Sequence, residues 1–356
     1  MSTSYCPAAE AGVAILRNPY DRQDPRAGGF AGLTRRPGSG RLSGGPLHAS
    51  ASGTLPAMHA DILALGAIVL VVTAAWGWFL VRGSTAVPAA AWAVGAAAVF
   101  LLEAIACRIG WLNDPATHAS LRLVGAALAV CPTMALLGAK RPQHGVWQFI
   151  VGSLAFVLAL PALSALLVRP GSLPDVHLLE RGFLALLLIV GWMNFVATRH
   201  ALAATLVTGG LVVFVRAFLP GGDSRPTLSA IDAAAAGGIA VGATLALGQS
   251  MLLPARGAGE TAGIVAAIDR PYLALRETLG AAWTLRIAER FNAVATRRSW
   301  PCQLRFGGLV VERGAEAHGW EREAARCCRA LLLRFVSESW LARHGGLPPA
   351  KSPESS

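Results

Sequence analysis

Four ionisable residues lie inside or at the ends of apolar runs, where a charge is costly and usually has a function. They are Glu103, Arg122, Arg216 and Asp232. Either carboxyl group could serve as a general acid or base in a membrane enzyme. We predict that Glu103 or Asp232 pairs with Arg122 or Arg216, and that the four line one polar vestibule open to the outer face of a membrane.

A structural alternative stays open for each of these residues. The stretch Ser229 to Asp232 matches a capping box, in which the acid only closes a helix N-terminus. Arg122 and Arg216 are long enough to extend to lipid headgroups. Glu103 could form a local pair near the membrane interface. Under these alternatives the four residues stabilise the fold and carry no reaction.

Other reactive motifs are missing from the sequence. It contains no phosphate-binding loop, no G-x-S-x-G, no H-E-x-x-H and no kinase signature. The six cysteines show no C-x-x-C spacing, and no histidine stands at zinc-ligand spacing, so buried thiols are predicted. We therefore predict no metal site and no cofactor. The net charge of +11 is spread along the chain, so no nucleic-acid partner is predicted.

The elements that would position these residues are apolar helices. The chain has 356 residues, of which 54% are hydrophobic and only 14% are charged, whereas an ordinary soluble domain has roughly 25% charged residues. The predicted fold is an all-α polytopic membrane protein of about seven transmembrane helices with a small C-terminal cytosolic α/β module. The predicted spans are 61–81, 87–107, 121–138, 146–168, 182–198, 201–219 and 229–252.

Several residues inside these spans predict packing features. Pro132 and Pro161 each remove a backbone hydrogen bond and should kink the third and fourth helices. Gly238 and Gly242 form a small-x-x-x-small face, which favours close packing within the chain or in a homo-oligomer.

The basic residues of the loops predict the orientation. Lys140 and Arg141 stand in a short loop without an acid, which favours the cytoplasm, and the chain after residue 254 carries 14 Arg and one Lys. We predict an inner-membrane protein with a cytoplasmic C-terminus, whose four intramembrane charges face outward. Lys140 and Arg141 would fix this topology and dock the C-terminal module.

The composition divides the chain into five segments. We predict a disordered extension over 1–57, with Met58 as an alternative start, a transmembrane domain over 58–254 and a linker over 255–268. A cytosolic α-β-α module over 269–344 and a disordered tail over 345–356 follow.

The predicted module has three elements. A helix of about 28 residues begins with Asp269 as N-cap and Pro271 just inside it. The stretch from Gln303 to Glu312, around Gly307-Gly308, is predicted to form a short strand or a hairpin. A second amphipathic helix runs from Trp320 to Arg343 and ends before Gly345-Gly346.

Three stretches carry a resemblance to a known group of proteins. They are Cys131 to Gln143 with Trp147 to Val151, Gly280 to Asn292, and Leu333 to Ser337. These stretches resemble multi-pass membrane proteins of planctomycete-type bacteria that have no known activity. The resemblance covers Met58 to about Arg343 and implies a membrane location without implying a reaction.

Three function classes remain after this survey. The first is a non-enzymatic scaffold or assembly protein that recruits a cytosolic protein through 269–344 and otherwise contacts the lipid bilayer. The second is a transporter or channel for a small or lipid-like solute. The third is a membrane enzyme with an outer acid/base site. An enzyme is the less favoured interpretation, because no complete catalytic motif is present.

Overall fold

The structure is a computed structural model that describes residues 54–112, 114–138, 144–222, 230–252, 263–312 and 319–345. It is mostly helical. The first part of the chain forms seven helices: α1 (Thr54–Leu80), α2 (Val87–Arg108), α3 (Pro115–Leu137), α4 (His144–Leu167), α5 (Leu178–Phe195), α6 (Ala201–Phe214) and α7 (Ala230–Leu252). The later part forms α8 (Ile264–Leu279), α9 (Ala281–Arg297), β1 (Cys302–Arg305), β2 (Gly308–Val311), α10 (Trp320–Leu332) and α11 (Glu338–Arg343).

Six helices of the described chain, all of α1 to α7 except α6, are long and apolar enough to cross a membrane. The element found at the predicted span 201–219 is shorter, because α6 has only 14 residues and is followed by a 3₁₀ turn at Arg216–Phe218. The multi-pass helical class predicted from composition is therefore shown. Six of the seven predicted spans correspond to helices that meet the length needed to cross a membrane. Both α3 and α4 continue past Pro132 and Pro161, the prolines that they contain.

The helices place their ends on two faces. We call the cluster face the one where α2 ends and α3 and α7 begin, because Arg122 of α3 bonds both α2 and α7 there. We call the module face the one where α1, α3 and α5 end, because α8, α9 and the residues after α10 contact these ends. Ion pairs hold the first face together, whereas the second combines neutral hydrogen bonds with an ion pair between Arg199 and Glu277.

The predicted segment boundaries agree only in part with the helices. α1 begins at Thr54, so residues 54–57 are helical, and residues 1–53 of the predicted extension lie outside the described chain. α8 begins at Ile264, so the end of the predicted linker is helical as well. Its first turns bury Ala266 and Ile268 in the module core, and this apolar contact explains the earlier start.

The prediction of a single helix of about 28 residues is wrong, because two helices, α8 and α9, occupy this stretch. Gly280 has a φ of +81° and separates α8 from α9, because a left-handed residue ends the helical hydrogen-bond ladder. Asp269 is not an N-cap, since it lies inside α8 and accepts a hydrogen bond from the Leu309 backbone N–H of β2. The carboxylate thus joins helix to hairpin, and burial raises its pKa.

The hairpin prediction is confirmed. β1 and β2 pair antiparallel, with Arg305 opposite Gly308. The second amphipathic helix is divided into α10 and α11, because residues 333–337 leave the helix and Val336 forms an isolated bridge to Ser84. Gly345, with a φ of +82°, follows the end of α11 as predicted.

The module core includes a residue of the membrane domain. Its buried side chains, among them Tyr272, Phe291 and Trp340, form one apolar cluster that also contains Ala86 from the start of α2. Val81 and Leu136 pack against the same cluster. The module therefore completes its core on the membrane domain and does not form a separate globule.

Candidate functional site

The four ionisable residues singled out in the sequence lie together at the cluster face. Arg122 Nε donates to Glu103 Oε1 over 2.7 Å, and one of its terminal nitrogens donates to Asp232 Oδ1 over 3.3 Å. Arg216 donates to both oxygens of Asp232. The pairs form one continuous chain from Glu103 through Arg122 and Asp232 to Arg216, which we call the ionic cluster.

Helix ends position the ionic cluster. Glu103 lies in the last turns of α2, and Arg122 lies in the third turn of α3. Asp232 lies in the first turn of α7, and Arg216 follows α6 in the 3₁₀ turn. The ends of four helices are held together because each contributes one charge that only another helix can compensate.

A fifth member of the cluster, His118, was missed in the sequence. Its Nε2 lies 2.9 Å from Glu103 Oε1 and 3.5 Å from an Arg122 nitrogen. His118 and Arg122 are four residues apart on α3, so they share one helix face. That spacing was a readable signal, but His118 precedes the predicted span, which began at residue 121.

Burial distinguishes the ionic cluster from the predicted vestibule. Glu103 and Asp232 are 0% exposed and Arg122 is 1% exposed. Only Arg216 extends outward, with 39% of its side chain exposed. The open vestibule is therefore wrong for three of the four residues, because the surrounding chain leaves them almost no exposed surface. Phe214 covers Arg122, with 4.4 Å from the guanidinium carbon to the ring centroid.

The charges of the cluster balance. Two carboxylates face two guanidinium groups, so the cluster is neutral when His118 is neutral. Glu103 Oε1 takes all the contacts from Arg122 and His118, whereas Glu103 Oε2 is buried with no hydrogen-bond partner among the described residues. Among the described residues of the cluster, it is the one buried side-chain oxygen without a hydrogen-bond partner.

The cluster does not have the geometry of a nucleophilic triad. Cys107 Sγ lies 3.9 Å from His118 Nε2, the same nitrogen that faces Glu103. In a triad the base uses one ring nitrogen for the nucleophile and the other for the orienting acid. In the described chain, no group of three or more His, Cys, Asp and Glu side chains could hold a metal.

A second set of contacts joins the module to the membrane domain, and Asn194 is at its centre. This residue lies in the last turn of α5. Its amide nitrogen donates to the Leu279 carbonyl over 2.9 Å, and its amide oxygen accepts from the Ala282 N–H over 3.0 Å. The side chain therefore bridges the turn at Gly280. A Cβ on Gly280 would lie 2.2 Å from the Asn194 amide nitrogen, so only glycine fits there.

Two further helix ends take part in the docking. Trp283 Nε1 donates to the Leu136 carbonyl at the end of α3 over 2.7 Å. In the loop after α1, Thr85 donates its N–H to the Phe335 carbonyl over 2.8 Å. Lys140 and Arg141, the predicted docking residues, lie outside the described chain, so their role stays a prediction.

Glu277 of α8 meets the turn between α5 and α6. It is buried, accepts hydrogen bonds from Arg276 and from the Arg199 backbone N–H, and lies 3.9 Å from His200. His200 Nδ1 is in turn 3.0 Å from the Gln249 side-chain oxygen at the end of α7. Burial lowers the pKa of His200, which favours its neutral form.

The predicted glycine face has two different environments. Gly242 packs against α6 of the same chain, where an added Cβ would lie 2.9 Å from the Ala203 carbonyl oxygen. Gly238 has open space beside it. The close packing is thus intramolecular at Gly242, and a homo-oligomer through these residues stays a prediction.

The fold and the two sets of contacts define a multi-pass helical membrane protein with a docked C-terminal module. Comparison with family models, with curated proteins and with solved structures gave no match.

Proposed function

We propose that this chain is a non-enzymatic scaffold or assembly protein of the cell inner membrane, which presents its C-terminal module to a cytosolic protein. The observation that carries this proposal is the docking of the module. The module forms hydrogen bonds with Asn194 of α5, with Leu136 of α3 and with Thr85 in the loop after α1. A surface held in this way keeps a fixed position relative to the bilayer, as a recruiting platform requires.

The proposal includes seven crossings. α6 is about 21 Å long, and the 3₁₀ turn adds about 6 Å, which brings the segment near the hydrocarbon thickness of about 30 Å. His200 at the start of α6 lies beside Glu277 of the module, and Arg216 after its end belongs to the ionic cluster. The start of α6 thus contacts the module face and the segment after its end contacts the cluster face, which supports a membrane crossing by this segment.

The proposed orientation places the module in the cytoplasm. Arg82 and Arg199 stand on the module face, together with the module, and 14 arginines follow residue 254. In the sequence, Lys140 and Arg141 come shortly after α3, which ends at the module face. An excess of basic residues in short loops marks the cytoplasmic side.

The exposed side of α10 is the proposed partner surface. Arg322 and Arg326 are exposed, stand four residues apart on one helix face, and form no ion pair among the described residues. The chemistry that fits them is an acidic protein surface, which would gain on-rate and specificity from such charges.

Co-purification tests this proposal on the full chain. The wild-type protein and the variant Arg322→Glu/Arg326→Glu are isolated from membranes of the native host in mild detergent. We expect a stoichiometric protein partner with the wild type and a loss of roughly tenfold or more in the variant, because like charges then face each other. The control variant Arg297→Glu changes an exposed arginine elsewhere on the module and should retain the partner.

Of two adverse results, the first would contradict the scaffold itself and the second only the assignment of the partner surface to α10. The first is a wild-type chain that purifies without any stoichiometric partner. The second is equal partner capture by wild type and by Arg322→Glu/Arg326→Glu, which would move the interface elsewhere.

A transporter for a small or lipid-like solute is the second candidate, and the unpartnered Glu103 Oε2 favours it. A buried carboxyl that takes up and releases a proton could couple to movement of a solute. Liposomes that contain the protein and a pH-sensitive dye test this directly. Proton flux that Glu103→Gln abolishes would support transport, whereas flux equal to that of empty liposomes would remove this candidate.

A further inference from the structure

A groove on the module combines an apolar floor with a rim of arginines. It lies between α9 and the residues that follow α10 and encloses about 110 Å³. The rings of Trp283 and Phe335, with centroids 5.0 Å apart, form the floor. The rim consists of Arg286, Arg290 and Arg334.

The rim arginines lack carboxylate partners within the described chain. Arg286 lies beside the Trp283 ring, with 5.8 Å from its guanidinium carbon to the ring centroid. All three rim side chains are exposed, and Glu289 on the same helix forms no ion pair with them at 4 Å or less. Guanidinium groups that converge without an acid form a binding site for a phosphate, whose oxygens accept paired N–H donors.

The position of the groove limits the source of that phosphate. Trp283 bonds to Leu136 at the end of α3, and Phe335 bonds to Thr85 in the loop between α1 and α2. The groove is therefore level with the ends of the spanning helices. This is the depth at which lipid headgroups meet water and where anionic lipids attract arginines.

We propose that this groove binds the phosphate of an anionic phospholipid headgroup. Arg286, Arg290 and Arg334 hold the phosphate, and the partly exposed Trp283 ring contacts the glycerol carbons beneath it. The apolar floor favours a lipid over a soluble phosphate compound, because it offers nothing to a fully polar ligand. The proposal concerns a site on α9 and does not depend on recruitment through α10.

A lipid titration tests the site. The full-length protein in neutral detergent is titrated with short-chain phosphatidylglycerol, and the apparent Kd is measured by calorimetry. For Arg286→Gln/Arg290→Gln we expect about a 30-fold weaker Kd, since each arginine near an anionic headgroup contributes a factor of about five. Arg334 lies on the wall of the groove opposite α9. The variant Arg334→Gln should therefore weaken the Kd about fivefold by the same reasoning.

The matched control is Arg297→Gln/Arg305→Gln, which also removes two exposed arginines from the module, at positions outside both the groove and the α10 surface. It should change the Kd less than about twofold, as expected for charges at a distance in a screened solution. Equal weakening by both double variants would show a general charge effect and overturn the site. Circular dichroism without lipid checks that each variant is folded.

Two further ligands separate the sources of the phosphate. Phosphatidylcholine of the same chain length carries no net charge and should bind much more weakly than phosphatidylglycerol. Glycerol phosphate carries the anion without the acyl chains. If it bound as tightly as phosphatidylglycerol, the groove would serve a soluble phosphate compound and the lipid proposal would be wrong.

Discussion

The ionic cluster and the docking contacts of the module hold the helices together by opposite means. In the cluster, buried charges compensate each other across α2, α3 and α7. At the module face, Asn194 and Trp283 bond to backbone groups, and Gly280 permits a close approach. A charge left alone in an apolar interior costs several times more than a neutral group left alone. A single substitution in the ionic cluster should therefore lower the free energy of unfolding more than a single substitution in the docking interface.

The largest effect is expected for Arg122→Gln. This change leaves the Glu103 and Asp232 carboxylates buried without their shared donor, and breaking a buried pair in this way costs about 3–5 kcal/mol. The free energy of unfolding in detergent, followed by tryptophan fluorescence, should fall by that amount.

Arg108→Gln is the matched control for Arg122→Gln, because Arg108 pairs with Asp61 while both side chains are more than half exposed, at 56% and 58%. Such exposed pairs contribute about 0–1 kcal/mol. A similar loss in the two variants would show that burial of the cluster does not decide its contribution.

An intermediate effect is expected for Gly280→Ala at the docking interface. A side chain at φ +81° costs about 1–2 kcal/mol in the backbone alone, and the added Cβ would also displace Asn194. The module should detach from the end of α5, so trypsin should cleave the arginines of α9 faster in membrane vesicles.

Gly307→Ala provides the comparison for Gly280→Ala. Gly307 is an exposed hairpin glycine with open space beside it and no left-handed backbone. Its cleavage rate should match the wild type. If Gly280→Ala also matched the wild type, the bridge by Asn194 would not be what holds the module.

The smallest effect is a pH dependence at His200. Burial lowers the pKa of this side chain below its ordinary value of 6.5. As the pH falls below about 6.5, the imidazole therefore binds a proton in the unfolded chain while it stays neutral in the folded chain. The free energy of unfolding should therefore fall as the pH decreases through about 6.5. His200→Gln keeps a group able to bond Gln249 and should lose this part of the dependence. Identical pH profiles for the two proteins would mean that His200 does not contribute.

The sequence predicted the ionic cluster better than the docking interface, for a physical reason. A charge inside an apolar run has few acceptable partners, so Glu103, Arg122, Arg216 and Asp232 could be expected to meet. The sequence could not predict how completely these side chains are buried. The helices that carry Glu103 and Arg122 also bury small residues such as Ala104 and Ala119, which allow close packing without a distinctive sequence pattern.

The docking interface was less predictable because its partners are backbone groups. Leu279, Ala282 and Leu136 contribute carbonyl or N–H groups, which every residue has. The break at Gly280 was missed for a related reason, since the apolar spacing of 3 and 4 continues from α8 into α9 almost without a change of phase. Asp269 looked like an N-cap because its partner, Leu309, is forty residues away.

The bridge between Ser84 and Val336 has a consequence for the order of synthesis. These residues are 252 positions apart (336 − 84), yet they close the same surface beside Ala86. At about 5–20 residues per second, a ribosome needs roughly 10–50 s to make the chain between them. Throughout that interval the first helical hairpin is already made but lacks its cover. The later-made residues around Val336 thus cover the earlier-made hairpin, and a chain cut short before Val336 leaves Ala86 and Val81 exposed.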